Sequence, residues 1–496
     1  MNTHPTVLAD WIIVLPVLLG IVGGAILLMA RRSLKLQPWF GLLVLAAIVV
    51  CDVALLARVL ADGPVSMTMG NWLAPFGISF TVDVMGAGFA LVAAFVAFAV
   101  TLSLMTEAPE AAVRDGLYPL VLLLVAGVSG AFLTGDLFNL YVWFEVMLIA
   151  SFGLIVIAGQ PIQLDGAVKY VVLNLLATTL FLIGLGLLYG QLATLNMADI
   201  IGRAARADPA PLAATAALFA LAIGMKAAIF PVNAWLPASY HTPPAAISAL
   251  MGGLLTKVGV YALLRLFVML LPGARGTLGP TLEGLAIATM ILGPLSAIAE
   301  TNLRRAIGFV LIGGIGVSLT CLPSGHQQAV FGSQVYVVHS MLTLAALYLL
   351  AGAIERSTGA TDTRNMGRQH PPGSPLSAMF LVMVLAIAGV PPFLGFWPKL
   401  LLLQDFTATG DWPLVFALLA NGLLTLIAGI RLWSRIFWQP IGEPAGQPRG
   451  LAPALLLTGT ILFLGVWPSL LLNAGLVASQ QLVNTFSYVA AVGLAP

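Results

Sequence analysis

The stretch from Gly224 to Arg265 reads GMKAAIFPVNAWLPASYHTPPAAISALMGGLLTKVGVYALLR. It places Lys226 and Lys257 inside otherwise apolar segments, and it places Pro231 five residues after the first lysine. An ammonium near the centre of a bilayer costs about 2.5 to 3.5 kcal/mol even on the lenient insertion scale. A functional role is therefore the default interpretation of each lysine.

Pro231 predicts a break in the helix that carries Lys226. Proline cannot donate to the helical hydrogen-bond ladder, and its ring leaves the carbonyl of Ala227, four residues earlier, without its usual partner. Broken backbone at membrane depth is tolerated only where protein or a water-filled cavity satisfies it. The lysine and the break together predict a hydrated pocket and an ion path inside the protein.

The composition is that of a polytopic membrane protein. Of 496 residues, 60% are hydrophobic and 8% are charged, against about 25% charged in an ordinary soluble domain. The 21 basic and 19 acidic residues nearly balance, so the chain has no strong net charge. No run of basic residues indicates binding to nucleic acid. Cys51 and Cys321 are isolated in apolar runs, so we expect no disulfide, no metal site and no cofactor.

Apolar windows of about 20 residues, the length that a helix needs to cross the hydrocarbon, indicate membrane spans. Fourteen such windows are predicted, at roughly 11–30, 39–60, 79–104, 117–134, 137–158, 165–190, 212–234, 245–270, 278–297, 303–321, 327–353, 376–403, 412–436 and 451–474. The loops carry no soluble domain, so residues 1–496 are expected to form a single integral membrane domain of the all-α class. Residues 477–496 are predicted to be a short interfacial segment or a frayed end.

Basic residues in the loops predict the orientation, because cytoplasmic loops carry an excess of lysine and arginine. One side of the membrane receives Arg31, Arg32, Lys35, Arg114, Arg304, Arg305, Arg356, Arg364, Arg368, Arg435 and Arg449. The other side receives Arg203, Arg206 and Arg275. We therefore expect both termini of this multi-pass protein to lie outside the cytoplasm. Its expected location is the cell membrane of a prokaryote.

Five ionisable groups lie well inside the predicted spans, namely Glu145, Lys226, Lys257, His339 and Lys399. Inserting three lysines singly would cost about 8 to 10 kcal/mol, which is comparable with the net stability of a whole domain. Each group also has a structural alternative. Glu145 and Lys226 could form an ion pair that only fixes helix packing. His339 could be a hydrogen-bonded core histidine, and Lys399 could extend its side chain to the membrane interface. The first alternative leaves Lys257 and Lys399 without acidic partners.

Two further groups are auxiliary candidates. Lys169 lies near the start of its span, where a structural role is as plausible as a functional one. His241 follows the break, in the connection WLPASYHTPP, and is a candidate for the mouth of the path. Pro391 and Pro392 break the span at 376–403 as Pro231 breaks its own, which indicates paired half-helices around a path at the midplane.

The magnitudes favour a proton relay. A carboxylate about 4 Å from an ammonium contributes roughly 4 kcal/mol at an effective dielectric of 20, so movement of Glu145 decides whether Lys226 holds a proton. In this hypothesis Lys226 exchanges protons with Lys257 through water, His339 bridges onward because imidazole titrates near neutral pH, and Lys399 delivers to the far side.

Three motifs resemble a known family: TGDLFNLYVWFEVMLIASFGL at residues 134–154, FPVNAWLPASYHTPPAAISAL at 230–250 and LLTKVGVYALLR at 254–265. They resemble the proton-channel family shared by respiratory complex I and the Mrp cation/proton antiporters, and the similarity covers nearly the whole chain. Within the family the sequence looks most like the D subunits of Mrp antiporters.

The resemblance implies fourteen helices with two inverted five-helix repeats, at spans 4–8 and 9–13, or about residues 117–270 and 278–436. It also implies that the five central groups form the polar axis of the family. One position departs from the pattern: HSMLTLA places Leu344 where relatives often carry a lysine. The bridge from His339 to Lys399 would then depend on water or on Thr343.

The resemblance further implies a secondary active transporter subunit, not an enzyme, that works in a hetero-oligomer with other Mrp-type subunits in the lipid bilayer. Its expected cargo is protons, with Na⁺ as the expected exchanged cation. The near alternative is a proton-pumping membrane subunit of a complex I-like oxidoreductase or a membrane hydrogenase. A solitary solute transporter is a different class, which would need a substrate-sized polar site instead of a file of titratable groups.

Overall fold

Helices that follow the apolar windows make up most of the chain, and the computed structural model describes residues 8–72, 74, 76–367, 370–439 and 450–494. The α-helices are α1 Leu15–Met29, α2 Leu36–Asp62, α3 Val84–Glu107, α4 Glu110–Arg114, α5 Leu117–Leu133, α6 Leu137–Val156, α7 Pro161–Leu192, α8 Met197–Ala204, α9 Pro209–Ala227, α10 Trp235–Ser239, α11 Ala245–Leu250, α12 Thr256–Leu264, α13 Arg275–Ala299, α14 Leu303–Leu319, α15 Gln327–Thr358, α16 Pro375–Ala388, α17 Phe396–Thr409, α18 Trp412–Phe437, α19 Ala452–Val466, α20 Ser469–Val483 and α21 Phe486–Ala491. Two π-helical segments, Met251–Leu255 and Arg265–Leu270, flank α12.

Short 3-10 turns occupy Leu8–Ile13, Met69–Asn71, Pro272–Ala274 and Thr363–Asn365. Among the described residues, nine helices, some of them built from joined segments, are long and apolar enough to cross a membrane. The pair α19 and α20 makes a tenth if its two parts count as one span, and α1, α5 and α16 are apolar but shorter. The all-α membrane class is confirmed, while the number fourteen stays a prediction. Arg368 and Arg449, which contribute to the predicted orientation, lie outside the described residues.

Two predicted spans differ from the structure. The span at 79–104 does not begin as a helix, because Ser79–Val82 forms a strand, β2, that pairs antiparallel with β1, Val65–Thr68. The span at 451–474 is not one straight helix either: α19 and α20 meet at an angle of 77°. Pro468 lies in that bend, and proline cannot donate the amide hydrogen bond that would continue the first helix. Residues 477–483 belong to α20 and are therefore not frayed, while an interfacial position for this segment stays a prediction.

The two predicted helix breaks are confirmed. The first helix of one pair, α9, ends at Ala227, four residues before Pro231, as the clash between a proline ring and the preceding carbonyl requires. The chain resumes as a helix only at Trp235. In the other pair α16 ends at Ala388 and α17 begins at Phe396, with the two prolines between them.

The same architecture occurs twice along the chain. Helices α6, α7 and α9 start at residues 137, 161 and 209, and α14, α15 and α16 start at 303, 327 and 375, each 166 residues later. Helices α7 and α15 each have 32 residues, and the isolated backbone bridge between Asp136 and Asn196 recurs between Asn302 and Asp362. The set of helices that starts with α6 contains an odd number of predicted spans before the equivalent helix α14 begins. The second set therefore crosses the membrane in the opposite sense to the first.

The burial of each helix shows which helices lie at the centre of the molecule. The most apolar window of α15 is entirely buried, and that of the helix from Ala245 to Leu270 is 94% buried, whereas the corresponding window of α7 is 39% buried. Helices at the surface face lipid or other proteins, so their apolar side chains remain exposed. The two most buried of these helices carry His339 and Lys257, so both groups lie in the interior of the fold.

Candidate functional site

Lys226 lies in the last turn of α9, one residue before the helix ends at Ala227. The next residue, Ala228, has a φ of 61°, a left-handed conformation that closes the helix. The indole of Trp235, on the far side of the break, donates a hydrogen bond to the carbonyl of Met225 at 2.9 Å. The same carbonyl accepts from the backbone N–H of Ala228 at 3.2 Å, so the indole adds a side-chain contact to the end of the helix next to the lysine.

The ammonium of Lys226 is almost fully buried, with 6% of the residue exposed. It lies over the ring of Phe144 on α6, 4.8 Å from the ring centroid, and such a cation–π contact contributes about 0.5 to 2 kcal/mol. A cavity of about 20 Å³ beside it is also lined by Tyr170, Asn174 and Tyr240. This volume and these polar walls suit a single water molecule.

Glu145 follows Phe144 on α6, within electrostatic range of Lys226. No ion pair joins Glu145 to the lysine or to any other residue in the described part of the chain. Its Oε1 atom is buried and has no hydrogen-bond partner. Glu145 and Lys226 are thus neighbours that are held apart, which differs from a fixed structural ion pair.

Lys257 lies just after the π-helical segment Met251–Leu255. Its ammonium donates to the carbonyl of Gly252 at 2.8 Å and to the hydroxyl of Thr256 at 3.3 Å. The residue is 2% exposed. A π-segment disturbs the regular ladder, and such segments occur frequently at functional sites; here the lysine binds within the disturbed turn.

His339 on α15 is fully buried, and its Nδ1 atom lies 3.1 Å from the hydroxyl of Thr343. Its Nε2 atom has no hydrogen-bond partner. The imidazole lies against Gly395 in the break between α16 and α17, where an added Cβ atom would come 2.8 Å from Nε2. The ring is within electrostatic range of both Lys399 and Lys257, and its role as a bridge between the two lysines stays a prediction.

Lys399 is in the first turn of α17, yet its ammonium reaches back across the break. It donates to the carbonyls of Ala388 at 2.9 Å and Ile387 at 3.4 Å, at the end of α16, and to the side-chain oxygen of Asn421 at 3.4 Å. The last carbonyls of a helix carry partial negative charge. A cation therefore caps this half-helix in place of the missing turn, and Lys399 does not snorkel to the surface.

The auxiliary candidates lie elsewhere. Lys169 is half exposed on α7 and forms an ion pair with Asp165 at 2.5 Å, so the structure does not bring it to the five central groups. His241 is partly buried beyond α10, with Nδ1 2.9 Å from the carbonyl of Pro237. Burial, with smaller contributions from Arg305 and Arg304, lowers the pKa of His241 below its ordinary value.

Sequence reasoning missed Asn421, Tyr240 and a buried ion pair. The guanidinium of Arg265 holds both oxygens of Asp83 at 2.6 Å, and each side chain is 1% exposed. Asp83 and Arg265 lie at the ends of predicted spans, but they are 182 positions apart in the sequence. Their pairing could therefore not be inferred from local sequence. The signal for Asn421 was one amide in an apolar window. Among the described residues no group of three His, Cys, Asp or Glu side chains could hold a metal ion.

These features define a class: polytopic α-helical membrane proteins in which broken helices surround a buried polar axis. The family model described as NADH:quinone oxidoreductase/Mrp antiporter, transmembrane, matches residues 134–425. The chain belongs to this family and is a multi-pass membrane protein.

Similar proteins cover the whole length of the chain. The D subunit of the Na⁺/H⁺ antiporter of Alkalihalophilus pseudofirmus is 34% identical over 97% of this chain and 99% of that protein. The D subunit of the Na⁺/H⁺ antiporter of Bacillus subtilis is 34% identical over the same shares.

Solved structures have the same fold. A chain in the Mrp complex from Dietzia sp. superposes with a TM-score of 0.93 at 27% identity, covering 98% of this chain and 100% of that one. A chain in respiratory complex I from Thermus thermophilus superposes with a TM-score of 0.82 at 24% identity, covering 95% of this chain and 100% of that one. The second likeness concerns the fold alone.

Proposed function

We propose that this chain is the proton-translocating subunit of a multisubunit Na⁺(cation)/H⁺ antiporter. Its protons move along an axis formed by Glu145, Lys226, Lys257, His339 and Lys399. The observation that carries the proposal is that all three lysines are buried beside irregular backbone, and that two of them donate to carbonyls there. Relatives at 34% identity that are named as the D subunits of Na⁺/H⁺ antiporters support it.

Carbonyl partners suit a lysine that must gain and lose a proton. A carboxylate in direct contact would favour the charged ammonium by several kcal/mol, which holds the proton in place. A carbonyl accepts a hydrogen bond from the ammonium and from the neutral amine alike. Lys257 and Lys399 therefore keep their positions in both protonation states.

Glu145 provides the control element at the first lysine. In the structure its carboxyl lies close to Lys226 without pairing with it. Approach to about 4 Å would stabilise the ammonium by roughly 4 kcal/mol at an effective dielectric of 20, and retreat would release the proton toward the water-sized cavity. Movement of α6 relative to α9 would then gate the relay.

The chain works in this proposal as a secondary active transporter subunit and not as an enzyme. It forms one integral membrane domain with core repeats at about 117–270 and 278–436, and both termini lie outside the cytoplasm. Other membrane subunits and lipid cover the exposed apolar faces of α2 and α7. The cation itself takes a path outside the five central groups, because a bare metal ion prefers several oxygen ligands.

A membrane subunit of a complex I-like oxidoreductase is the second candidate. The fold favours it, since a chain of an archaeal membrane-bound sulfane sulfur reductase superposes with a TM-score of 0.89 at 26% identity. The relatives at 34% identity are named as antiporter subunits, so the antiporter is the better-supported function.

Transport measurements test the proposal. The chain is co-expressed with its neighbouring membrane subunits in a host that lacks Na⁺/H⁺ antiporters, and Na⁺-driven proton flux is measured in vesicles without any electron donor. We expect flux from the assembly, loss of flux in Lys226→Ala and Lys399→Ala, and full flux in Lys35→Ala, an exposed loop lysine. Full flux in both axis variants, normalised to assembled protein, would contradict the proposal, and flux only with a reductant would favour the second candidate.

A further inference from the structure

A charged cavity opens at the end of the molecule where α3 and α15 finish. It has a volume of about 280 Å³, and its walls include Glu107, Arg304, Glu355 and Arg356. Arg304 pairs with Glu355 at 2.9 Å and Arg356 with Glu107 at 2.6 Å. The side chain of Arg356 is 41% exposed, so the cavity communicates with solvent. We call it the vestibule.

Polar groups lead inward from the vestibule through Arg304. Its guanidinium donates to the carbonyl of Pro243, and it donates to the hydroxyl of Ser248 at 3.3 Å. The same hydroxyl donates to the backbone carbonyl of Tyr240 at 2.6 Å. Two hydrogen bonds therefore connect the vestibule arginine with the backbone of Tyr240.

Tyr240 connects this route with Lys226. Its ring lines the water-sized cavity that Lys226, Tyr170 and Asn174 also line. The residue is fully buried, and its hydroxyl has no hydrogen-bond partner. Water in that cavity is the partner that the hydroxyl of Tyr240 would gain.

Tyr348 on α15 connects the same route with Lys257. It is fully buried, its hydroxyl also has no partner, and it lies within electrostatic range of both Arg304 and Tyr240. Its ring packs on Gly252, where an added Cβ atom would come 2.6 Å from the ring. Gly252 supplies the carbonyl that holds the ammonium of Lys257.

Two buried hydroxyls without a protein hydrogen-bond partner lie on one route. An unsatisfied buried polar group costs about 1 to 3 kcal/mol, and most buried side-chain polar atoms in proteins have a partner. Phenylalanine at either position would fill the same space without this cost. The hydroxyls therefore indicate a use for hydrogen-bonding groups that exchange partners.

We propose that Tyr240 and Tyr348 are relay residues that pass protons between the vestibule and the lysine pair Lys226 and Lys257. The proposal rests on the proposed function and deepens it by naming the route that loads the axis. Each hydroxyl oxygen accepts a proton from water on the vestibule side while its own O–H bond breaks and that proton passes to water on the lysine side. One O–H bond forms as one breaks, and rotation of the hydroxyl resets the relay without net charge on the tyrosine.

Phenylalanine substitutions test the relay in the assembled complex. Tyr240→Phe and Tyr348→Phe should each lower Na⁺-driven proton flux at least fivefold and leave the KM for Na⁺ unchanged, and the double variant should lower flux further. Tyr118→Phe is the matched control, because Tyr118 is equally buried but lies on α5. All rates are normalised to assembled complex, so a folding defect in one variant leaves the other as the test.

The outcomes separate the relay from the function on which it rests. If Lys226→Ala abolishes flux while both phenylalanine variants match Tyr118→Phe, the relay is wrong and the transport function stands. If the wild-type assembly shows no cation-driven flux, the proposed function itself fails.

Access to the route is a second measurement. In a chain with Cys51→Ser and Cys321→Ser, a small membrane-impermeant thiol reagent should modify Tyr240→Cys when it is added on the vestibule side and not when it is added on the opposite side. Tyr118→Cys should react on neither side. Equal protection of Tyr240→Cys and Tyr118→Cys from the vestibule side would overturn the route.

Discussion

The ammonium nitrogen of Lys399 lies 2.9 Å from the carbonyl oxygen of Ala388, although the two residues belong to different halves of a broken helix. The equivalent end of the other broken helix is Ala227, and there the lysine is the preceding residue, Lys226. Both half-helices thus end beside an ammonium, one supplied from within the helix and one supplied from beyond the break. The positive charge complements the partial negative charge of a helix C-terminus in both cases.

Asn421 tests whether Lys399 needs a neutral partner. Asn421→Asp places a carboxylate about 3.4 Å from the ammonium, which stabilises the charged form by roughly 5 kcal/mol at an effective dielectric of 20. We expect proton flux to fall at least tenfold in vesicles with normal assembly. Asn473→Asp, at an exposed position on α20, is the control. Unchanged flux in Asn421→Asp would show that the lysine does not release its proton during transport.

Gly395 tests the contact between His339 and the break. In Gly395→Ala the new Cβ atom would come 1.9 Å from the carbonyl oxygen of Ala386 and 2.8 Å from Nε2 of His339, so the backbone or the imidazole must move. Misplacement of a reacting group by about 1 Å can reduce a rate about a hundredfold, and we expect flux to fall by more than tenfold. Gly284→Ala, where an added Cβ meets no atom within 4 Å, is the matched control. A normal rate in Gly395→Ala would argue against proton transfer through the imidazole.

Phe144 tests the cation–π contact at Lys226. A contact of this kind contributes about 0.5 to 2 kcal/mol, so Phe144→Leu should change the steady flux by about two- to thirtyfold. The direction is a decrease, because the ammonium loses the ring that holds it while Glu145 is apart. Phe152→Leu, on the exposed face of the same helix, controls for the loss of an aromatic ring. Equal rates in the two variants would contradict a role for the ring.

His241 tests the pH dependence. Because burial lowers the pKa of His241 below the ordinary value of about 6.5, the ring is neutral at pH 7 and gains a proton only at lower pH. We therefore expect His241→Asn to leave the shape of the flux profile unchanged between pH 7 and pH 9. Loss of an inflection in that range would show that the ring titrates during transport.

Asp83 and Arg265 test a structural ion pair away from the axis. Removing one partner of a buried pair costs about 3 to 5 kcal/mol, because the other charge stays buried without compensation. Asp83→Asn should therefore reduce the thermal stability of the assembled protein by far more than Asp165→Asn, which breaks an exposed pair worth about 0 to 1 kcal/mol. The double variant Asp83→Leu with Arg265→Met should recover most of the loss. Equal melting temperatures for both single variants would contradict this role.

Local chemistry made the broken helices predictable. A proline removes an amide donor, and Pro231 and Pro391 do so where helices end. Proline alone is not sufficient, since α13 continues through Pro280 and Pro294. The buried lysines were predictable for a similar reason, since an ammonium deep in an apolar segment is costly wherever it occurs. Their distances to particular carbonyls were not predictable, because those carbonyls become available only after the helix has broken.

Long-range partners made the rest unpredictable. The pairing of Asp83 with Arg265 joins residues 182 positions apart, and no periodicity in the sequence refers to such a pair. Tyr240 is one aromatic in the connection WLPASYHTPP, and nothing in the sequence marks it before the cavity beside Lys226 is seen. The bend at Pro468 was missed because the surrounding window is uniformly apolar, so hydropathy favoured one continuous span.

Equivalent helices start 166 residues apart and build the same framework twice. The framework is present twice with opposite polarity, and a framework repeated in this way treats the two sides of the membrane alike. The lysines break that equivalence, because one half keeps its ammonium upstream of the gap and the other keeps it downstream. The placement of the lysines therefore makes the two sides of a repeated fold chemically different. An antiporter needs such a difference to move two kinds of ion in opposite directions.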